Sequence, residues 1–227
     1  MAISVFLSPS NQDANLWCTG NTTEEAEAVK FADSISHVLA FYGIETVRAD
    51  GIEPFKRYRY AGGCKCYIPL HTNAFNGETN GNRLFVLKKE NPKFADSLLL
   101  ASAIKARFDA IGHERKSVIY QDFARWNELV NAASIDLPCV YSETIFHDCR
   151  KDVKFYRDNY DKIVNAYALA IAQFCGVDTD EKQPDESRTF YRVIAGAFRD
   201  KANAEKRLAS IKEIEPNAYI QTVKKEY

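Results

Sequence analysis

His71 closes the apolar run KCYIPLH, Glu143 closes LPCVYSE, and the run ISVFL at 3–7 stops at Ser8 and Pro9. In a sheet covered by helices, ligands meet the protein at the C-terminal ends of strands, so these places can converge on one edge. An imidazole and a carboxylate on such an edge are parts of a hydrolytic zinc centre. That centre needs three protein ligands from His, Glu, Asp or Cys, an open position for water, and a carboxylate that carries protons. His71, in the setting LHTNA, is a candidate ligand; a structural histidine after a strand is the plainer alternative. Glu143 taken alone reads equally as a solvated carboxylate. Cys64 and Cys66 look like a metal fragment, yet strand alternation puts both on one buried face, where small apolar side chains fit. His37 and His113 read as surface residues.

Positioning these side chains requires a sheet and its helices. Thr22 and Thr23 offer N-caps to a helix over 24–42, in which Ala28, Phe31, Ala32, Ile35 and Leu39 recur at helical spacing before Gly43. IETVRA and NRLFVLK read as strands, 54–62 as a short helix or turn, and Pro92 to Gly112 bracket a long helix. A further helix is expected over 151–175, closed by Gly176. Strands alternating with helices imply an α/β fold: a mixed, mostly parallel twisted sheet with helices on both faces. Residues 177–187 are acidic, contain Pro184 and read as a linker. Beyond them TFYRVIAGAF, DKANAEKRLASIKEI and AYIQTV spell a small C-terminal βαβ unit.

A chain of 227 residues has room for one sizeable domain and such an appendage. With 46% hydrophobic and 27% charged residues, and no run approaching the roughly 20 apolar residues of a membrane span, integral membrane contact is not expected. MAISVFLSPSNQ has no basic region followed by an apolar stretch, so synthesis in the cytoplasm without a signal peptide is the expectation. The 6 cysteines form no CxxC pair and read as reduced thiols. A net charge of −1 points to neither nucleic acid nor membrane, although 188–227 holds nine Lys/Arg against five Asp/Glu.

Over residues 3–175 the pattern resembles the zinc-dependent N-acetylmuramoyl-L-alanine amidase family of autolysins and phage endolysins. That family orders a Pro-Gly-His loop, a Glu opening the next helix, a Ser-Ile-His-Ala-Asn-Ala segment and a Val-Leu-Val-Glu strand end. Here FLSPSNQ, TEEAEAVKFADSISHVLAFYG, YIPLHTNA and LPCVYSETIFHD follow in the same order. The resemblance implies Zn2+ held by Glu24, with Glu25 the next candidate, and His71, and it implies Glu143 as the catalytic proton shuttle. Where the family has Pro-Gly-His, this chain has Pro9, Ser10, Asn11 and Gln12. The third ligand is then His147 or the amide oxygen of Gln12. A similar SPSxQ loop and HDN segment in a clostridial-type branch favour His147. Asn73 and Arg83 are candidates to bind the substrate.

The tail is similar to the first half of SPOR, the septal wall-binding repeat, which implies peptidoglycan as partner and a plan of 1–176 catalytic, 177–187 linker and 188–227 half-module. Half a module leaves strand edges open, so two tails are expected to pair in a homodimer. The implied function is hydrolysis of the amide between N-acetylmuramic acid and L-alanine, as in a phage or prophage endolysin released onto the wall. A catalytically inactive wall-binding protein on the same fold is the alternative.

Overall fold

Runs rich in Val, Ile, Leu, Phe and Tyr pair edge to edge in the computed structural model, which describes residues 2–122, 127–179 and 201–212. They are β1 (Ile3–Pro9), β2 (Ile44–Val47), β3 (Tyr67–Asn73), β4 (Arg83–Val86), β5 (Val118–Tyr120) and β6 (Val140–Phe146), in the order β2-β1-β3-β6-β4-β5. β2, β1, β3 and β6 run parallel; β4 lies antiparallel to β6 and carries β5 parallel to itself. This is the mixed, mostly parallel sheet that the alternation implied. No helix among the described residues is long and apolar enough to cross a membrane.

The two faces are covered unequally. On one, Val5, Leu7, Ile68, Leu70, Leu84 and Val140 meet α1 (Glu24–Phe41), α3 (Phe94–Ala110) and α6 (Tyr160–Phe174) through Phe31, Ile35, Leu39, Leu100, Ile104, Phe108, Ile163, Tyr167 and Ile171. Each such side chain contributes about 1.5–3 kcal/mol on full burial, so this face carries most of the apolar stabilisation. On the other, Phe6, Tyr67, Phe85, Cys139 and Tyr141 are covered by Ala61, Cys64, and Leu129 and Ala132 of the short α4 (Asn127–Ala132). α2 (Pro54–Arg57) packs on the same side, its Asn131–Phe55 contact joining it to α4. Polar side chains enter the sheet on this thinner face: Ser8 follows Phe6 by two residues, and Glu143 follows Tyr141 by two.

Several elements depart from the sequence reading. β6 continues to Phe146, so Glu143 sits within the strand and not at its end. His71 pairs with Glu143, but Asn73 pairs with Phe146, so β6 carries one extra residue there. The helix expected over 151–175 is two, α5 (Arg150–Asp158) and α6, parted at Asn159, whose side-chain amide donates to the Phe155 carbonyl at 3.1 Å and competes with the helical ladder. Cys64 and Cys66 fall in opposite clusters, because both precede β3 and strict alternation does not govern them. His113 is buried, not a surface residue: its Nε2 lies 2.7 Å from Oδ1 of Asp152.

The chain divides into two units, Met1–Gln183 and Pro184–Tyr227. Of the second, the described part is α7 (Lys201–Lys212), within the helix expected there. The two tail strands, and the pairing of tails they would support, lie outside the described residues.

Candidate functional site

The loop from Ser10 to Thr22 is tied down before α1 begins. Trp17 N donates to the Thr22 carbonyl at 3.0 Å, Glu24 N to the Asn15 carbonyl at 2.9 Å, and the Thr23 hydroxyl accepts from Ala26 N at 3.2 Å as N-cap. This closure turns Glu24, 1% exposed, inward at the first turn of α1. Its Oε1 lies 2.9 Å from Nδ1 of His71 and 3.3 Å from Nε2 of Gln12, and its Oε2 accepts from Asn15 at 2.8 Å. Glu25, the next candidate, is half-buried, outside that cluster.

His71 comes from β3, with its ring stacked on Tyr141 at 4.6 Å between centroids. Its Nε2 lies 3.3 Å from Oε2 of Glu128, which α4 lowers onto this face. Burial by itself would lower the His71 pKa, but hydrogen bonds to Glu128 and Glu24 and the neighbouring carboxylates raise it to about 10. Burial likewise works against ionised Glu24, and here the bond to His71 and its charge win, holding the carboxyl below its ordinary range.

Glu143 stands beside His71 in register. Its Oε2 is buried without a hydrogen-bond partner among the described residues. Burial pushes its pKa up to about 8; His71 works against that rise and Glu24 adds to it. A buried carboxyl with a bare oxygen and proton affinity near neutrality suits a group that takes up and returns a proton.

The extra residue in β6 puts Ile145 with Thr144 on the thickly covered side of the sheet, Thr144 near Phe31 and Ile145 in the large apolar core. His147 follows on that side: its Nδ1 lies 2.9 Å from the Thr72 hydroxyl and 4.0 Å from Oε2 of Glu24. Glu24 thus has Gln12 and His71 at one oxygen and His147 near the other. As the side chains stand, no three His, Cys, Asp or Glu among the described residues are grouped to hold a metal ion. The rings of His71 and His147 are engaged with Glu24, Glu128 and Thr72. In kind the donors fit zinc: imidazoles and a carboxylate, with the bare oxygen of buried Glu143 alongside.

The two residues expected to meet substrate are bound to their own loops. Asn73 Oδ1 accepts from Ala74 N at 2.8 Å, and its carbonyl accepts from His147 N at 2.8 Å. Arg83 pairs with Glu143 across β4 and β6, but its guanidinium donates to the Asn80 and Asn82 carbonyls at 3.0 Å and lies over the Phe146 ring. Glu128, Asn15, Tyr67 and Arg57 were not read from the sequence. A segment such as WNELVNAA shows only a short amphipathic turn, and nothing local marks its glutamate as facing a site.

Residues 11–173 match the family model described as N-acetylmuramoyl-L-alanine amidase, and residues 171–226 match the SPOR domain. A search of curated proteins found no match. Among solved structures the chain is similar to N-acetylmuramoyl-L-alanine amidase AmiC2 of Nostoc punctiforme, with a TM-score of 0.62 at 16% identity over 77% of this chain and 97% of that one. The catalytic domain of CwlV, an N-acetylmuramoyl-L-alanine amidase from Bacillus (Paenibacillus) polymyxa var. colistinus, gives 0.64 at 15% identity over 78% and 99%. The CwlD amidase from Clostridioides difficile, solved with the GerS lipoprotein, gives 0.61 at 15% over 78% and 100%. At such identities the likeness is one of fold.

Proposed function

This chain belongs to the N-acetylmuramoyl-L-alanine amidase family, and from that membership we propose that it is a zinc-dependent peptidoglycan hydrolase of the endolysin type with Glu143 as its catalytic residue. The bond cut is the amide joining N-acetylmuramic acid to L-alanine of the stem peptide. The observation that carries the reading is the buried Glu143 carboxyl, bare at Oε2, beside the Glu24–His71 pair.

Glu24 and His71 would hold the zinc, with His147 or Gln12 as the third ligand. Both repairs have support: Gln12 is in contact with Glu24 and His71, and His147 lies within 4.0 Å of Glu24. When bound, the ion would polarise the lactyl amide carbonyl and acidify a water. Glu143 takes a proton from the attacking water and hands it to the departing L-alanine amine. Tyr141, stacked on His71, and the loops closing over Glu24 keep bulk water from the carboxylates, which strengthens every charge interaction among them. The SPOR match at 171–226 supports a tail that keeps the enzyme on the wall.

Purified protein stripped with chelator and reloaded with zinc tests the reading on isolated walls. The expected products are free N-terminal L-alanine and unbroken glycan strands, with activity lost on stripping and restored by zinc. Wall binding without release of amine, before and after reloading, would establish the catalytically inactive alternative.

A further inference from the structure

Glu128 enters the site from α4 and has no part in the chemistry above. Its carboxylate is buried, 6% exposed, on the thin face of the sheet. Oε1 accepts from the Ser8 hydroxyl at 2.5 Å and from the Tyr67 hydroxyl at 2.6 Å. Ser8 accepts in turn from Nη1 of Arg57 at 3.2 Å, and that guanidinium, 1% exposed, also donates to the Pro9 carbonyl at 2.5 Å. Two hydroxyl donors fill Oε1, so Oε2 is left for the ring of His71, 3.3 Å from Nε2. Nδ1, on the far side of that ring, faces Glu24 at 2.9 Å.

An imidazole held this way has a carboxylate oxygen at each ring nitrogen. A carboxylate can only accept, so without a metal each nitrogen keeps a hydrogen; a cation arriving beside Glu24 displaces the one on Nδ1, and Glu128 holds the one on Nε2. We propose that Glu128 is the positioning residue of His71: held by Ser8, Tyr67 and Arg57, it fixes the proton on Nε2 and so presents Nδ1, beside Glu24, to a divalent cation. This rests on the zinc reading of the site. It also accounts for the burial of a serine, a tyrosine hydroxyl and an arginine on the thin face of the sheet.

Glu128→Gln is the sharp test, because Ser8 and Tyr67 can donate only to the new amide oxygen. The NH2 group must then face Nε2, donor against donor, unless Nε2 gives up its hydrogen and leaves the ring's only one on Nδ1, the nitrogen the metal needs. In the full chain, competition against a chelator is expected to show zinc bound about 10–100-fold more weakly by Glu128→Gln. Ring 15N shifts of the metal-free variant should place a lone proton on Nδ1, whereas the metal-free wild type should carry hydrogen on both nitrogens. Tyr67→Phe, which removes one donor at nearly constant volume, should lose less zinc affinity in the same direction and serves if Glu128→Gln does not fold. Wild-type protein that takes up zinc, with folded variants of unchanged affinity and the proton still on Nε2, would overturn the role of Glu128 alone. Wild-type protein that takes up no zinc would overturn the metal reading and this inference with it.

Discussion

A carboxyl with an unpartnered buried oxygen is costly, and Glu143 tolerates that because its pKa rises to about 8 with burial. Glu143→Gln keeps the shape but cannot accept a proton, so wall hydrolysis should fall about 10²–10⁴-fold with zinc content unchanged; near-normal turnover would remove Glu143 from the mechanism. His147→Ala and Gln12→Ala separate the two candidates for third ligand, since only the true ligand should lower zinc affinity when truncated, measured by chelator competition. The candidates Glu24, His71, Glu143, His147 and Gln12 were readable because each lies in a motif segment tied to a strand end or helix start. They converge because β3 and β6 are neighbours and α1 begins above them. Glu128 and Tyr67 were not, because their partners are distant in sequence, the two being 61 residues apart, and Asn15 was not because it lies in an irregular loop that carries no periodic pattern.

Elements with strong periodicity were read well: α1, α3 and the β1, β3 and β4 runs stand within a few residues of expectation. What failed was local chemistry that periodicity does not record, such as the Asn159 side chain that parts α5 from α6. The same holds for Asp152 at the start of α5, fully buried, which accepts from Gly81 N at 2.9 Å and Phe146 N at 2.7 Å and contacts His113. Asp152 therefore pins the loop before β4 and the end of β6. Asp152→Ala should cost about 3–5 kcal/mol in denaturant unfolding. Burial opposes the charge on His113, but the bond to Asp152 outweighs it and raises the folded pKa above 6.5. A raised folded pKa means the native state holds the proton more tightly. The contribution is thus complete below the ordinary histidine value and fades as pH climbs through the raised one. Unfolding free energies measured across that window should fall with pH, and His113→Gln should flatten the slope; an unchanged slope would assign it to other groups. The extra residue in β6 works at this scale too. Ile145 would share the face of Glu143 under strict alternation, and with the insertion it returns to the large apolar core.

At the scale of the whole chain, the α/β sheet and a separate C-terminal unit both follow from the order of the runs, whereas the unequal cover of the two faces does not. The helix at 127–132 is too short for periodicity to register, whereas the short helix or turn read at 54–62 is present as α2 and the turn that follows it. A chain ending at residue 183 should still release L-alanine from soluble muropeptide but should sediment less with isolated walls than the full chain; equal sedimentation would place wall affinity in the first unit. The unequal cover also sets the order in which the molecule comes apart. α6 buries eight of its residues, whereas α4 is a helix of 6 residues held by Leu129, Ala132 and the carboxylate of Glu128. Regions with few apolar contacts open at lower free energy than the global transition. Warming would therefore detach α4 while α1, α3 and α6 still grip the sheet, and heat inactivation would precede melting. Amide hydrogen exchange would register this as early labelling of the α4 backbone, with β3 and β6 exchanging only as the entire sheet unfolds.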